Sequence, residues 1–186
     1  MSETLSSRKE RIYLTGFMGS GKSTIGPILA NTIGYDFADL DRLIENEAGL
    51  SVSAIFREKG EEYFRSLERS GIARVSAMPR TVISLGGGTL VDPENYRRIS
   101  TTGIIVYLKI TPEQIFRRLH HKTDRPLLTN PGGERLGDEQ LRTRIMNLYS
   151  SREPIYAQSD ITVLTDEKKV GITVDQIVKK ISYYIR

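Results

Sequence analysis

The chain has 186 residues, 38% apolar, 27% charged and without Cys, which fits one core-bearing domain and excludes a disordered chain, a disulfide scaffold, Cys-ligated zinc and thiol catalysis. No apolar run approaches the roughly 20 residues that a membrane span needs, so no membrane partner is expected, and the lack of Cys favours a cytoplasmic location. The formal charge of +4 points either to an anionic partner or to a plain solvated basic surface, and the placement of the arginines must decide between them.

Residues 1–10 are polar, without the apolar stretch of a secretory signal, and are expected to be a disordered terminus. Residues 11–186 are expected to form one domain. Arg11 to Thr15 reads as a short buried strand, and Gly16 to Gly21 as a Gly-rich turn. From Lys22 onward, Ile25, Ile28, Leu29 and Ile33 recur at helical spacing until Gly34. A second strand covers 35–39. Helical patterns follow at 41–48, 52–59 and 61–77. The third strand, 81–85, runs into Gly86, Gly87 and Gly88.

Asp92 followed by Pro93 is an N-cap with proline at the first helical position, giving a helix over 93–100. Residues 104–108 form a fully apolar fourth strand, and Thr111-Pro112 opens another helix in the same way. Residues 122–137, rich in Pro, Gly and charge, read as a loop of the length that often serves as a lid. A helix at 138–151 and a strand at 160–164 follow. Thr173 and Gln176 have capping-box spacing, so the last helix is expected to open there, with Ile177, Ile181 and Tyr184 on one face. Strands alternating with helices, several strands being apolar on both faces, predict an α/β fold: a five-stranded parallel sheet covered on both sides.

Gly16 to Ser23 fits G-x-x-x-x-G-K-[ST] between a predicted strand and a predicted helix, the context that gives this phosphate-binding motif its weight. Its glycines let successive N–H groups face phosphate oxygens, and the helix adds its positive end. Lys22 is then placed for the β- and γ-phosphates, and Ser23 for Mg²⁺. By chance alone the bare pattern is expected in roughly one chain of this length in a hundred. No D-x-x-G or N-K-x-D occurs, so a regulatory GTPase is disfavoured and a small phosphotransferase remains.

Asp39 and Asp41 end the second strand, where strand alternation can bring both carboxylates to the C-terminal edge of the sheet. One can hold Mg²⁺ through water while the other accepts the proton of a substrate hydroxyl; the alternative is a helix N-cap at Asp39 followed by a first-turn acid at Asp41, and the two readings are compatible. Gly86 to Gly88 lie at the same edge and allow a ligand to approach the backbone. Arg65 and Glu68, three apart on a predicted helix, share a face, and spacing alone favours a surface ion pair over a buried fork for a carboxylate. Arg125 opens the long loop, as a phosphate-clasping lid arginine or as an incidental charge.

In this order and approximate spacing, the motif at 16–23, Asp39-Leu-Asp41, Phe64-Arg65-x-x-Glu68, Gly86 to Gly88, Arg125-Pro-Leu-Leu and Arg152-Glu-Pro-Ile-Tyr156 resemble shikimate kinases. The resemblance runs from about residue 11 to the C-terminus. It implies a P-loop NTPase-type three-layer domain that moves the ATP γ-phosphoryl group to the 3-hydroxyl of shikimate, on the route to chorismate and the aromatic amino acids. It implies that Gly19, Ser20, Gly21, Lys22, Ser23, Thr24, Arg118, Arg125 and Lys169 meet ATP, and that Ser23 and Asp39, the latter through water, serve Mg²⁺. It further implies that Asp41, Arg65, Gly86, Gly87, Gly88 and Arg152 meet shikimate. Lys22, Asp41 and Arg125 would carry the catalysis, with Asp41 the better candidate for the base. The adenine side, near Arg117, Arg118, Lys168 and Lys169, departs most from the family pattern. Leu40 stands where a small polar residue is frequent, and its side chain is expected to point away from the site.

No nucleic-acid partner is expected, because the nine Tyr do not interleave with a basic stripe. His120 and His121 are read as surface residues, and a monomer is expected. A gluconate kinase of the same architecture is the nearest enzyme alternative; a nucleotide-binding regulator without turnover is the alternative from another class.

Overall fold

A computed structural model describes residues 9–119, 136–165 and 169–185 of the chain. Five strands, β1 (Arg11–Thr15), β2 (Asp36–Asp39), β3 (Thr81–Ser84), β4 (Ile104–Lys109) and β5 (Ile161–Leu164), form one sheet in the order β2-β3-β1-β4-β5. All four pairings are parallel. Helices α1 (Lys22–Ile33), α2 (Leu40–Ala48), α3 (Val52–Val75), α4 (Pro93–Thr102), α5 (Pro112–Leu119), α6 (Asp138–Tyr156) and α7 (Val170–Ile181) connect and cover the strands. Among the described residues, no helix is long and apolar enough to cross a membrane.

The apolar strands are explained by two cores, one on each face of the sheet. Ile12, Leu14, Ile104, Val106 and Leu108 pack on α1 and α7. Their neighbours in sequence, Tyr13, Ile105 and Tyr107, point the other way and pack under α2, α3 and α4. Each such fully buried side chain contributes about 1.5–3 kcal/mol of transfer free energy. A third cluster, around Phe17, Phe116, Leu119, Leu141 and Ile145, joins the P-loop to α5 and α6.

The element ends move in ways that matter for the site. Gly60 has φ 84° and ψ 172°, a break inside α3 that separates the two expected helices. Helix α6 continues past residue 151 through Pro154, so Arg152 and Tyr156 share one helix. Helix α7 opens at Val170, not at Thr173; Thr173 is a buried helical residue whose N–H donates to the Lys169 carbonyl at 3.3 Å. The expected capping box is therefore absent, because burial of Thr173 beside the cleft outweighs its capping preference. Tyr184 lies beyond the end of α7 and is exposed, so it does not extend the apolar face of Ile177 and Ile181.

Candidate active site

A cleft of about 540 Å³ opens at the C-terminal edge of the sheet, where β1, β2 and β3 hand over to their loops. One wall is the Gly-rich loop. Gly16 has φ 139°, and a Cβ there would lie 2.6 Å from the Leu108 carbonyl oxygen, so only glycine lets β1 turn into the loop beside β4. Gly21, at φ 98°, is the N-cap of α1 and offers no side-chain cap, and no acidic residue sits in the first turn. The positive end of α1 therefore faces the cleft without a protein carboxylate in that turn, an arrangement suited to an anion. Lys22 curls over the loop and donates to the carbonyls of Gly16 at 2.7 Å and Phe17 at 3.2 Å. Phe17 is fully buried in the α5–α6 cluster, whereas Met18 lines the cleft.

Asp39 ends β2 and is at once a cap and a cleft residue. Its Oδ1 accepts from the Arg42 N–H, and its Oδ2 accepts from the Ser23 hydroxyl, both at 3.3 Å. Asp41 is not on the strand, because α2 begins at Leu40; the first helical turn, not strand alternation, brings its carboxylate beside that of Asp39. Leu40 between them is fully buried and points into the core toward Gly71. Burial, reinforced by Asp39, raises Asp41 to a pKa of about 6, with Lys22 opposing the shift. Such a carboxylate can accept a proton near neutral pH.

A Cβ on Gly86 would stand 2.9 Å from Asp41 Oδ1, on Gly87 3.4 Å from Arg152 Nη1, and on Gly88 3.2 Å from Arg65 Nη2. The triple-glycine turn thus lets one carboxylate and two guanidinium groups close on the backbone. Arg65 and Glu68 do not form the surface pair that spacing favours. Glu68 is only 1% exposed and accepts from Arg65 Nη1 at 2.7 Å and from the Thr89 hydroxyl at 2.7 Å. Spacing could not show this, because what covers Glu68 is the turn after β3.

At the far end, Arg118 Nη1 donates to the Gly19 carbonyl at 2.8 Å and Nη2 to the Thr165 carbonyl at 2.9 Å, so the guanidinium links the Gly-rich loop to the segment after β5. Arg117 lies apart, exposed and 3.6 Å from Glu113.

The cleft brings together Gly19, Ser20, Gly21, Lys22, Ser23, Thr24, Asp39, Asp41, Gly87, Arg118 and Arg152. Arg65, Gly86 and Gly88 adjoin it through the contacts above. Lys169 does not line it; that position caps α7 and is exposed, and Val170 and Thr173 form the wall instead. Arg125, Lys168, His120, His121 and most of the 122–137 loop lie outside the described residues. The sequence reading missed Ser84, Leu85, Thr165 and Thr173. Ser84 and Leu85 immediately precede the triple glycine and could have been found from that; Thr165 and Thr173 carry no local signal.

A parallel sheet, a Gly-rich loop running into α1, and a half-buried carboxylate facing that loop define the class: this is a P-loop kinase, an ATP-dependent phosphotransferase. Residues 18–182 match the family model described as shikimate kinase. A shikimate kinase of Chlorobaculum parvum is 50% identical over 175 residues, covering 94% of each chain. Among solved structures, a shikimate kinase from Bacteroides thetaiotaomicron superposes with a TM-score of 0.85 at 33% identity, covering 92% of this chain and 98% of that one. One from Acinetobacter baumannii, in complex with shikimate, gives 0.84 at 28% identity, covering 94% and 93%. The chain belongs to the shikimate kinase family.

Proposed function

We propose that the protein transfers the γ-phosphoryl group of ATP to the 3-hydroxyl of shikimate, giving shikimate 3-phosphate and ADP for chorismate and aromatic amino acid synthesis. The observation that carries this reading is the half-buried Asp41 carboxylate lining one cleft with the Gly-rich loop, Lys22 and Arg152. The Gly-rich loop, from Gly19 to Thr24, holds the phosphates, with Lys22 on the β- and γ-oxygens. Arg118 flanks the nucleotide's far end, near the adenine. Arg125, to which the family resemblance gives a role on the phosphates, lies outside the described residues.

Shikimate sits across the triple-glycine turn. Arg65 and Arg152 grip its carboxylate as charge-assisted forks, and the backbone of Gly86 to Gly88 contacts the ring. Asp41 holds the ring hydroxyls and takes the proton of the attacking one as the O–P bond forms. Glu68 keeps Arg65 aimed, because a buried carboxylate bonded to both Arg65 and Thr89 has little freedom to rotate.

Ser23 and Asp39 fit a hard cation. Hydroxyl and carboxylate oxygens lie within 3.3 Å of one another at the start of α1. Among the described residues, no cluster of three or more His, Cys, Asp or Glu side chains makes an independent cage. That donor set suits Mg²⁺, which keeps several waters and takes its other ligands from substrate phosphates. Mg²⁺ bound there neutralises charge on the transferring group. In this reading residues 11–186 act as one domain, in the cytoplasm and as a monomer.

The test is ADP release in a coupled assay with Mg·ATP and shikimate, with the product identified as the 3-phosphate. Turnover is expected with shikimate and absent without it. Turnover with gluconate instead, or none with either acceptor, would overturn the assignment.

A further inference from the structure

The carbonyls of the triple-glycine turn are all engaged. Those of Gly86 and Gly88 accept from the N–H groups of Thr89 at 3.2 Å and Val91 at 3.1 Å, within the short 3-10 turn that follows. That of Gly87 accepts a short hydrogen bond from the hydroxyl of Tyr156, 69 residues away on α6. The Arg152 guanidinium, one helical turn earlier on the same helix, stands beside that hydroxyl: a Cβ on Gly87 would lie 3.4 Å from Arg152 Nη1 and 3.6 Å from the Tyr156 hydroxyl oxygen. Its ring is 1% exposed and packs against Tyr107, with centroids 5.2 Å apart.

This arrangement mirrors the one across the turn. Arg65 is held by Glu68, three residues along α3, and Glu68 also holds the turn through Thr89. Arg152 stands beside Tyr156, four residues along α6, and Tyr156 holds the turn through Gly87. On each side one buried side chain lies next to an arginine and bonds the turn, through the Thr89 hydroxyl on one side and the Gly87 carbonyl on the other. Such an anchor fixes the distance between two groups that would otherwise be set by separate loops and helices.

We propose that Tyr156 is a positioning residue for the acceptor acid: it sets the register between the Arg152 guanidinium and the Gly87 backbone, and so tunes affinity for the substrate carboxylate. The inference rests on the functional reading above. A phenol suits this role because one oxygen can face a guanidinium as an acceptor while it donates to a carbonyl. Burial pushes the hydroxyl up to a pKa of about 12, although Arg152 pulls it down, so the donor proton is retained at working pH. Phenylalanine keeps the ring and loses the hydroxyl with its bond to Gly87.

Tyr156→Phe is the test, read as KM for shikimate, KM for ATP and kcat on the full chain, with Tyr107→Phe as the packing control. The expected result is a rise of roughly 5- to 10-fold in the shikimate KM, the scale for loss of one ordinary hydrogen bond. The ATP KM and kcat should stay within about 2-fold of wild type, and Tyr107→Phe should leave the shikimate KM unchanged. In an Arg152→Lys background, Tyr156→Phe should add much less than it does alone, because the two residues act as a unit. An unchanged shikimate KM in Tyr156→Phe would overturn the proposal. So would a parallel loss in all three parameters, or an equal rise in Tyr107→Phe, since either marks general packing. Wild-type protein without shikimate-dependent turnover would instead overturn the functional reading, and this proposal with it.

Discussion

The two walls of the cleft are built by opposite means. The wall we assign to the nucleotide is eight consecutive residues, Gly16 to Ser23, and its working parts are mostly backbone, shaped by glycines with φ between 80° and 139°. The wall we assign to the acceptor gathers Asp41 from α2, Arg65 and Glu68 from α3, Gly86 to Gly88 from the turn after β3, and Arg152 and Tyr156 from α6. It is made mostly of side chains, held by hydrogen bonds of the buried Glu68 and Tyr156. A contiguous backbone cradle needs only its local conformation. A scattered wall needs every intervening element in place, and so its geometry depends on how the helices pack. This contrast predicts that damage to the first wall removes chemistry, whereas damage to the holders of the second shifts recognition.

The largest expected effect lies where the walls meet. Asp41→Asn should lower kcat by about 10²–10⁴-fold, the usual contribution of a positioned base, measured by ADP release. The same change should make the protein more stable at pH 7. A carboxyl whose folded pKa is raised from 3.8 to about 6 binds its proton more tightly in the native state, so its contribution is fully present below about pH 4 and lost as pH rises through 6. Removing the charge should recover about 2–3 kcal/mol, from about two pKa units at 1.36 kcal/mol each, and raise Tm by several degrees. Full activity in Asp41→Asn would show that the walls do not share a base.

Lys22→Ala should cut kcat by about 10²–10³-fold, the scale for one charge-stabilising donor at the reacting group. A folded variant with wild-type turnover would remove the Gly-rich loop from the chemistry. On the acceptor wall, Arg65→Lys should raise the shikimate KM by roughly 10-fold, since a point charge cannot replace a planar fork. The ATP KM should not move; if it did, the two walls would not be separable. The mildest perturbation is pH. kcat/KM should fall about 10-fold per unit below pH 6 as Asp41 takes up its proton, and Asp41→Asn should flatten that limb. A limb that persists in the variant would belong to another group.

The fold and the Gly-rich loop were legible because their causes are local. Strand alternation, the glycine after α1 and the Asp92-Pro93 start of α4 are written within a few residues of where they act, and all stand in the structure. The acceptor wall was legible only as a set of blocks in family order. From spacing alone Arg65 and Glu68 belong on the surface; the turn after β3 covers Glu68 and makes the pair a half-buried clamp. Thr173 shows the reverse error, a sound local capping signal overridden because the residue is buried beside the cleft.

By itself the sequence determined the order of elements, the parallel sheet and the phosphate cradle, because periodicity and glycine conformation act over one or two turns of chain. Only the tertiary structure decided that α6 runs through Pro154, placing Tyr156 on the Gly87 carbonyl with Arg152 beside the same turn. It also decided that Asp41 sits half-buried among charges. Those properties come from desolvation and from contacts between segments tens of residues apart, and no local stretch of sequence encodes them.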